Sequence, residues 1–350
     1  MTGSLPQNPG IVEYQWNVPP LLRYATREVA TPGSPVSNGG LAITRTGYQV
    51  ADMAECSMTD RIYNVDLTQW NGPFSPAQQN GATVAMESGN VVYLPRLDFA
   101  FTPEEQKFLT PVWSNGGAKN ISYDHRNGRI QGMEGDDAAQ RELAALLKRY
   151  SESTLTLMQG LFPQYKSALL RMRTSYRPVE IKGRASKVTK DDTRLHPDQF
   201  PARPVGGKRI IRIFCNVNPE GKGRDWRIGE PFADFAKKFV PRLKAPLPGA
   251  REFMYLLRIT RTPRTAYDHY MLQLHDQGKM DEQYQKTAPQ TPFVFPPHCT
   301  WTCFTDEVLH AVDAGQYLLE QTYLLPIEAM KNPEKSPLRV LEGMIGKTLV

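Results

Sequence analysis

Residues 191–200 read Asp191-Asp192-Thr193-Arg194-Leu195-His196-Pro197-Asp198-Gln199-Phe200. His196 and Asp198 stand two positions apart, so at a strand end their side chains project to the same side. Both can then bind one metal ion. A later histidine completes a facial triad of two histidines and one carboxylate. That set leaves positions open for a co-substrate and O2, as non-haem Fe(II) oxygenases require. The triplet alone says little: 6 His and 17 Asp in 350 residues give about 0.3 such triplets by chance. The surrounding chain has to supply the rest.

From about residue 175 onward, short β-prone segments alternate with turns. The segments are 208–216, 253–260, 265–274, 293–304 and 316–325, and the turns include Gly206-Gly207 and Pro219-Glu220-Gly221. One helix is expected within them, at 232–240. Many short strands with turn chemistry predict an α+β protein built on a double-stranded β-helix, the cupin-like jelly roll. This core is expected over residues 175–330. A mixed α/β region with helices, 51–174, packs on it. Residues 1–50 are rich in Pro, Gly, Ser and Thr and read as an extended arm, and 331–350 reads as a tail. In the mixed region, Val91–Leu94 reads as a strand. Thr102-Pro103 reads as a helix start, 136–161 carries an apolar stripe at helical spacing, and a second helix is expected at 164–172.

The strand order singles out the distal ligand. His310 precedes Gly315 and a last strand-like segment, the order needed to close a jelly roll over a metal, so the metal set is read as His196, Asp198 and His310. Competitors are His269 and His275. Six apart, they share a face if their segment is a strand, and either could instead line a substrate site. His298 reads as a loop residue and His125 as an exposed one in a polar turn.

Composition bounds the function. The chain is 40% hydrophobic and 22% charged, ordinary for a globular protein. A net charge of +6 suits an anionic substrate or acidic lipid headgroups, and no Lys/Arg block suggests nucleic acid. Four scattered cysteines predict reduced thiols rather than a disulfide framework. The N-terminus lacks the pattern of a signal peptide and no stretch is long enough for a span. A cytoplasmic protein is expected, with peripheral membrane contact compatible.

At these residues the chain resembles the Kdo hydroxylase family. The resemblance runs from Asp191-Asp192-Thr193-Arg194-Leu195-His196-Pro197-Asp198 and Phe200-Pro201-Ala202-Arg203-Pro204 through Arg209-Ile210-Ile211-Arg212-Ile213-Phe214, Asn216-Val217-Asn218-Pro219 and Arg224-Asp225-Trp226-Arg227. It continues in Tyr267-Asp268-His269, Leu274-His275-Asp276 and the closing His310-Ala311-Val312 to Glu320-Gln321-Thr322. It implies a dioxygenase that uses Fe(II), 2-oxoglutarate and O2, supported by ascorbate. The reaction implied is 3-hydroxylation of the 3-deoxy-octulosonic acid (Kdo) of the lipopolysaccharide inner core, with succinate and CO2 as co-products. The implied substrate is Kdo-lipid A, met at the cytoplasmic face of the inner membrane.

The far carboxylate of 2-oxoglutarate needs a cation, commonly an arginine that can pair with it bidentately. Many oxygenases place that arginine about ten residues after the distal histidine. Here that stretch is Leu318-Leu319-Glu320-Gln321-Thr322, with no basic residue. Arg209 and Arg212 lie on the strand after His196-Pro197-Asp198, three apart and therefore on opposite faces. Arg212, between Ile211 and Ile213, is the first candidate. Arg177 and Arg224 are further ones, for 2-oxoglutarate or an acidic sugar. Alternatives are a 2-oxoglutarate oxygenase of another small molecule or protein side chain, a non-catalytic jelly-roll binder of acidic sugars, and, more remotely, a nucleic-acid demethylase.

Overall fold

In the computed structural model, residues 61–183 and 186–350 are described; the arm expected at 1–50 lies outside them. Eleven strands are described: β1 Ile62–Asn64, β2 Val91–Leu94, β3 Ile121–Asp124, β4 Arg129–Gln131, β5 Leu170–Arg177, β6 Arg209–Asn216, β7 Arg224–Gly229, β8 Gln290–Phe295, β9 Cys299–Phe304, β10 His310–Ala314 and β11 Leu318–Leu325. The helices are α1 Pro76–Glu87, α2 Asp137–Leu161, α3 Phe232–Phe239, α4 Ala250–Leu256, α5 Ala266–Met280, α6 Glu282–Thr287 and α7 Pro337–Ile345.

The strands form two sheets. The larger has the order β1-β2-β9-β6-β11-β5-β3-β4 and the smaller β10-β7-β8. Among the described strands β1 and β2 alone pair in parallel, and the other pairs are antiparallel. Phe214, Trp301 and Leu318 of the large sheet pack with Trp226, Phe295 and Val312 of the small one, so the sheets meet face to face. Side chains alternate across a strand, and this sorts the large sheet cleanly. On β6, Arg212 and Phe214 face the gap between the sheets, while Ile211, Ile213 and Cys215 face the helices.

The apolar stripe of 136–161 becomes α2. Asp136 caps it, accepting a hydrogen bond from the Ala139 N–H at 2.8 Å. Its buried Leu143, Leu146, Leu147 and Tyr150 lie on the outer face of the large sheet, against Ile121, Tyr176 and Leu319. Each such side chain contributes roughly 1.5–3 kcal/mol through burial.

Several expectations are corrected. The segment 265–274 is not a strand: it lies in α5, where Tyr267, Tyr270, Met271 and Leu274 recur at helical spacing and are buried. A capping box starts this helix, with Thr265 and Asp268 each accepting the other's backbone N–H. The segment 253–260 lies mostly in α4 and the turn after it, and its apolar side chains point to solvent. The helix expected at 164–172 is one 3-10 turn followed by the start of β5. The start at Thr102 leads only into a 3-10 turn, Glu105–Phe108. The segment 293–304 is two strands, β8 and β9, joined by a turn in which His298 has φ 62°. His125 is half-buried rather than exposed. Residues 331–350 carry α7, whose Leu338 and Leu341 are buried in the core.

Candidate metal centre and its cavity

His196 and His310 are brought together by backbone pairing. His196 N–H donates to His310 O at 3.1 Å and His310 N–H donates to His196 O at 3.0 Å. This isolated antiparallel bridge lays the 196 segment beside β10. Asp198 is fixed in turn, its N–H donating to Thr305 O at 2.7 Å. The ligand atoms of His196, Asp198 and His310 all lie within 4.8 Å of one another, and all three residues are buried.

The histidine tautomers follow from their partners. His196 Nδ1 lies 2.6 Å from Arg194 O, and His310 Nδ1 lies 2.8 Å from Val308 O. A carbonyl only accepts, so each Nδ1 carries the proton and each Nε2 keeps its lone pair. Burial, with neighbouring positive charge, pushes both imidazoles below their usual pKa and keeps them neutral. Asp198 is the charged member. Burial would raise it, but the charge of the Arg212 guanidinium outweighs that and holds it at about 2. Its Oδ2 stands 3.1 Å from Arg212 Nε in an ion pair, yet accepts no well-directed hydrogen bond. Two imidazole lone pairs and a buried carboxylate oxygen with a free lone pair, all within 4.8 Å, fit a divalent metal ion. Trp226 stacks on His310, centroids 5.0 Å apart at 19°, and limits the rotation of that ring.

The triad lies on a cavity of about 500 Å³. Arg177, Arg212 and Arg224 reach it from β5, β6 and β7. Arg209 does not: it points to the other face, pairing with Asp306 at 2.8 Å and Glu307 at 2.6 Å. Arg177, Arg212 and Arg224 differ in compensation. Arg212 also pairs with Glu320 at 3.3 Å, and Arg177 pairs with Glu320 at 2.5 Å and Asp192 at 3.6 Å. Arg224 is fully buried, donates to Gly315 O at 3.2 Å and has a buried Nε without a partner. Among the described residues no carboxylate pairs with it. Burial, together with the charge of Arg177, pushes its pKa down to about 9.

His275 is at the site and His269 is not. Helical geometry puts His275 on the cavity, its ring 5.2 Å from that of His196, while His269 turns outward to Lys244 O at 3.0 Å. Lys119, Lys190, Lys279, Arg173 and Arg203 also line the cavity, and none of them stands out in the sequence as a site residue. Lys279 lies one turn after His275 on α5 and is buried, and Lys119 pairs with Asp192. The helical i, i+4 spacing of His275 and Lys279 is a signal that could have found Lys279.

A family model for 3-deoxy-D-manno-oct-2-ulosonic acid (Kdo) hydroxylase matches residues 69–348. Crystal structures of the Kdo hydroxylase KdoO, a non-haem Fe(II) alpha-ketoglutarate dependent dioxygenase, are similar over 83% of this chain and 97% of theirs. The complex with alpha-ketoglutarate and Fe(III) is 51% identical with a TM-score of 0.80. The cobalt(II) complex is 52% identical with a TM-score of 0.81. The complex with succinate and Fe(III) is 51% identical with a TM-score of 0.80. No curated protein sequence matches this chain.

Proposed function

This chain belongs to the Kdo hydroxylase family, and on that premise we propose that His196, Asp198 and His310 hold its iron and that Arg224 receives the far carboxylate of 2-oxoglutarate. The enzyme is an Fe(II)- and 2-oxoglutarate-dependent dioxygenase that hydroxylates Kdo. The observation that carries the iron assignment is the convergence of two Nε2 lone pairs and one carboxylate within 4.8 Å. We read the two facing sheets as a jelly roll, with the 196 segment and β10 as adjacent strands of the smaller one.

Iron bound there supplies the coupling of O2 and 2-oxoglutarate decarboxylation to insertion of one oxygen atom into a C–H bond, with succinate and CO2 released. The protein's residues bind and orient. Arg212 holds the Asp198 carboxylate and Trp226 holds the His310 ring. Arg224 is preferred over Arg212, the first candidate from sequence, because its buried charge has no carboxylate partner among the described residues. Arg177, Lys119 and Lys279 line the rest of the cavity and suit the carboxylate of an acidic sugar. Ascorbate is assigned the supporting role of keeping iron ferrous.

The acceptor we propose is lipid-linked Kdo, as in Kdo-lipid A, reached by peripheral association with the cytoplasmic face of the inner membrane. No helix among the described residues is long and apolar enough to cross a membrane. Support for surface association comes from a cluster of exposed apolar side chains around α4. Incubation of the protein with Fe(II), 2-oxoglutarate and Kdo-lipid A tests the reading. Succinate should form together with a lipid product heavier by one oxygen atom; succinate without that product sinks the acceptor assignment.

A further inference from the structure

Beside the triad's cavity lies a second one of about 580 Å³, and Met172, Arg173, Phe200 and Arg203 line both. Its wall gathers five guanidinium groups from distant parts of the chain: Arg126 after β3, Arg129 at the start of β4, Arg173 on β5, Arg203 before β6, and Arg261 between α4 and α5. Against them stands one carboxylate, Asp124. The whole chain carries a net charge of only +6, so this excess is a local concentration and not the average surface.

The single carboxylate is already engaged. Arg126 binds Asp124 through two hydrogen bonds, at 2.9 and 2.7 Å, and Arg173 Nε lies 3.6 Å away. Arg129, Arg203 and Arg261 form no ion pair among the described residues. Arg203 is half-buried; burial, with the charges of Arg173, Arg261 and Arg126, lowers its pKa. Like charges gathered without counter-charge are unfavourable unless a ligand supplies it.

We propose that this second cavity binds a phosphate monoester carried by the acceptor whose sugar enters the first. The proposal rests on the reading of the acceptor as lipid-linked Kdo and adds that this acceptor carries a phosphate. A phosphate monoester carries about −1.5 to −2 charges and three strong acceptor oxygens, which matches three unpaired guanidiniums better than a carboxylate does. The shared walls let one extended ligand occupy both cavities, so the phosphate sets how deep the sugar is placed.

The test compares the iron-loaded full chain with its Arg129→Gln/Arg261→Gln variant; neither residue lines the triad's cavity. Turnover is measured with the phosphorylated acceptor and with the same acceptor after its phosphates are removed. The variant should raise KM for the phosphorylated acceptor about tenfold or more, with kcat within twofold. The dephosphorylated acceptor should show the same KM with both proteins. A wild-type KM that ignores the phosphates overturns the proposal, as does an equal rise for both acceptors. If the double variant does not fold, the single Arg129→Gln, at an exposed site, gives the same comparison with a smaller shift. Calorimetric titration with inorganic phosphate separates the sources. Binding of free phosphate that the variant loses, with no preference for the phosphorylated acceptor, assigns the cavity to free phosphate and overturns the acceptor claim. If no Kdo acceptor is turned over, the functional reading fails. Titration with the phosphorylated lipid then decides the cavity alone, and equal affinity of the two proteins refutes it.

Discussion

His196 and His310 exchange both backbone hydrogen bonds, at 3.1 and 3.0 Å, so strand pairing sets the spacing of two residues far apart in sequence. The proposed ligand pair is therefore preorganised by the fold and not by a metal. His310→Ala should leave the sheets intact but remove one of three ligands. In wild type, added Fe(II) or Co(II) should raise Tm, because a ligand that binds only the folded state stabilises it. In His310→Ala and His196→Ala that rise should vanish and turnover should fall by about 10³ or more, on the order of the 4 kcal/mol that such a loss represents. Normal turnover in His310→Ala would refute its assignment, with His275 as the next candidate.

Arg224 and Arg212 should separate kinetically. A charge-assisted pair contributes about 1.5–3 kcal/mol, so Arg224→Gln should raise KM for 2-oxoglutarate roughly 10- to 100-fold. Arg212→Gln should instead weaken metal binding, because it frees the Asp198 carboxylate. The opposite pattern in the two variants would return the co-substrate anchor to Arg212.

How much of this was legible follows from particular residues. The opposite facing of Arg209 and Arg212 is pure strand periodicity, and the structure obeys it. The bracket of His310, Gly315 and a last strand was likewise readable, since turn and strand are local signals. The segment 265–274 reads as a strand from composition because Tyr, Met and Leu suit strands as well as helices. The capping box of Thr265 and Asp268 is the local signal that decides for a helix. The apolar run before Thr260 is β-prone in composition, yet it lies in α4 and the turn after it with its apolar side chains exposed. Lys119 and the Arg129–Arg261 cavity had no signature, because they assemble from segments that only the tertiary fold brings together.

Gly229 offers a lever on the metal site without touching a ligand. A Cβ there would meet Leu195 Cδ2 at 2.9 Å and Leu309 Cβ at 2.9 Å. These two leucines immediately precede His196 and His310. Gly229→Ala should cost about 1–3 kcal/mol of stability through overpacking. It should also lower metal affinity, since relief of the clash must move one ligand segment. An unchanged metal-induced rise in Tm would show that the clash relaxes elsewhere.

Arg209 is shared between two buried carboxylates, Asp306 and Glu307. Burial, with the charge of Asp306 and against the pull of Arg209, raises Glu307 to about 7 from an ordinary value of 4.5. Between those values the folded state holds a proton that the unfolded state has released. Stability from this group is therefore present below pH 4.5 and is lost as pH rises toward 7. Urea unfolding of wild type and Glu307→Gln at pH 5 and pH 7 checks this. The variant should lose less stability over that interval, and a larger loss in the variant would contradict the assignment.

The exposed cluster around α4 makes the membrane reading testable. Leu247, Phe253, Tyr255, Leu256, Leu257 and Ile259 are six of the fourteen exposed large apolar side chains among the described residues. Lys244, Arg251, Arg258, Arg261 and Arg264 surround them in sequence, with Glu252 the one acidic residue from 244 to 264. An apolar tip in a basic setting suits an anionic bilayer, where each nearby cation contributes about 1 kcal/mol. The segment is also tied to the cavity mouth: Arg261 N–H donates to Ala202 O at 3.0 Å, and Ala202 lines the triad's cavity. Docking here would present the cavity to a lipid-linked sugar at the membrane surface. Co-sedimentation with vesicles containing phosphatidylglycerol should exceed that with phosphatidylcholine alone. Leu256→Asp/Leu257→Asp should weaken it by roughly tenfold or more, since each buried leucine contributes about 1.5–3 kcal/mol. Tm should not change, because both side chains are exposed. Equal sedimentation of variant and wild type would leave the basic residues to act without insertion and would refute α4 as the inserted element.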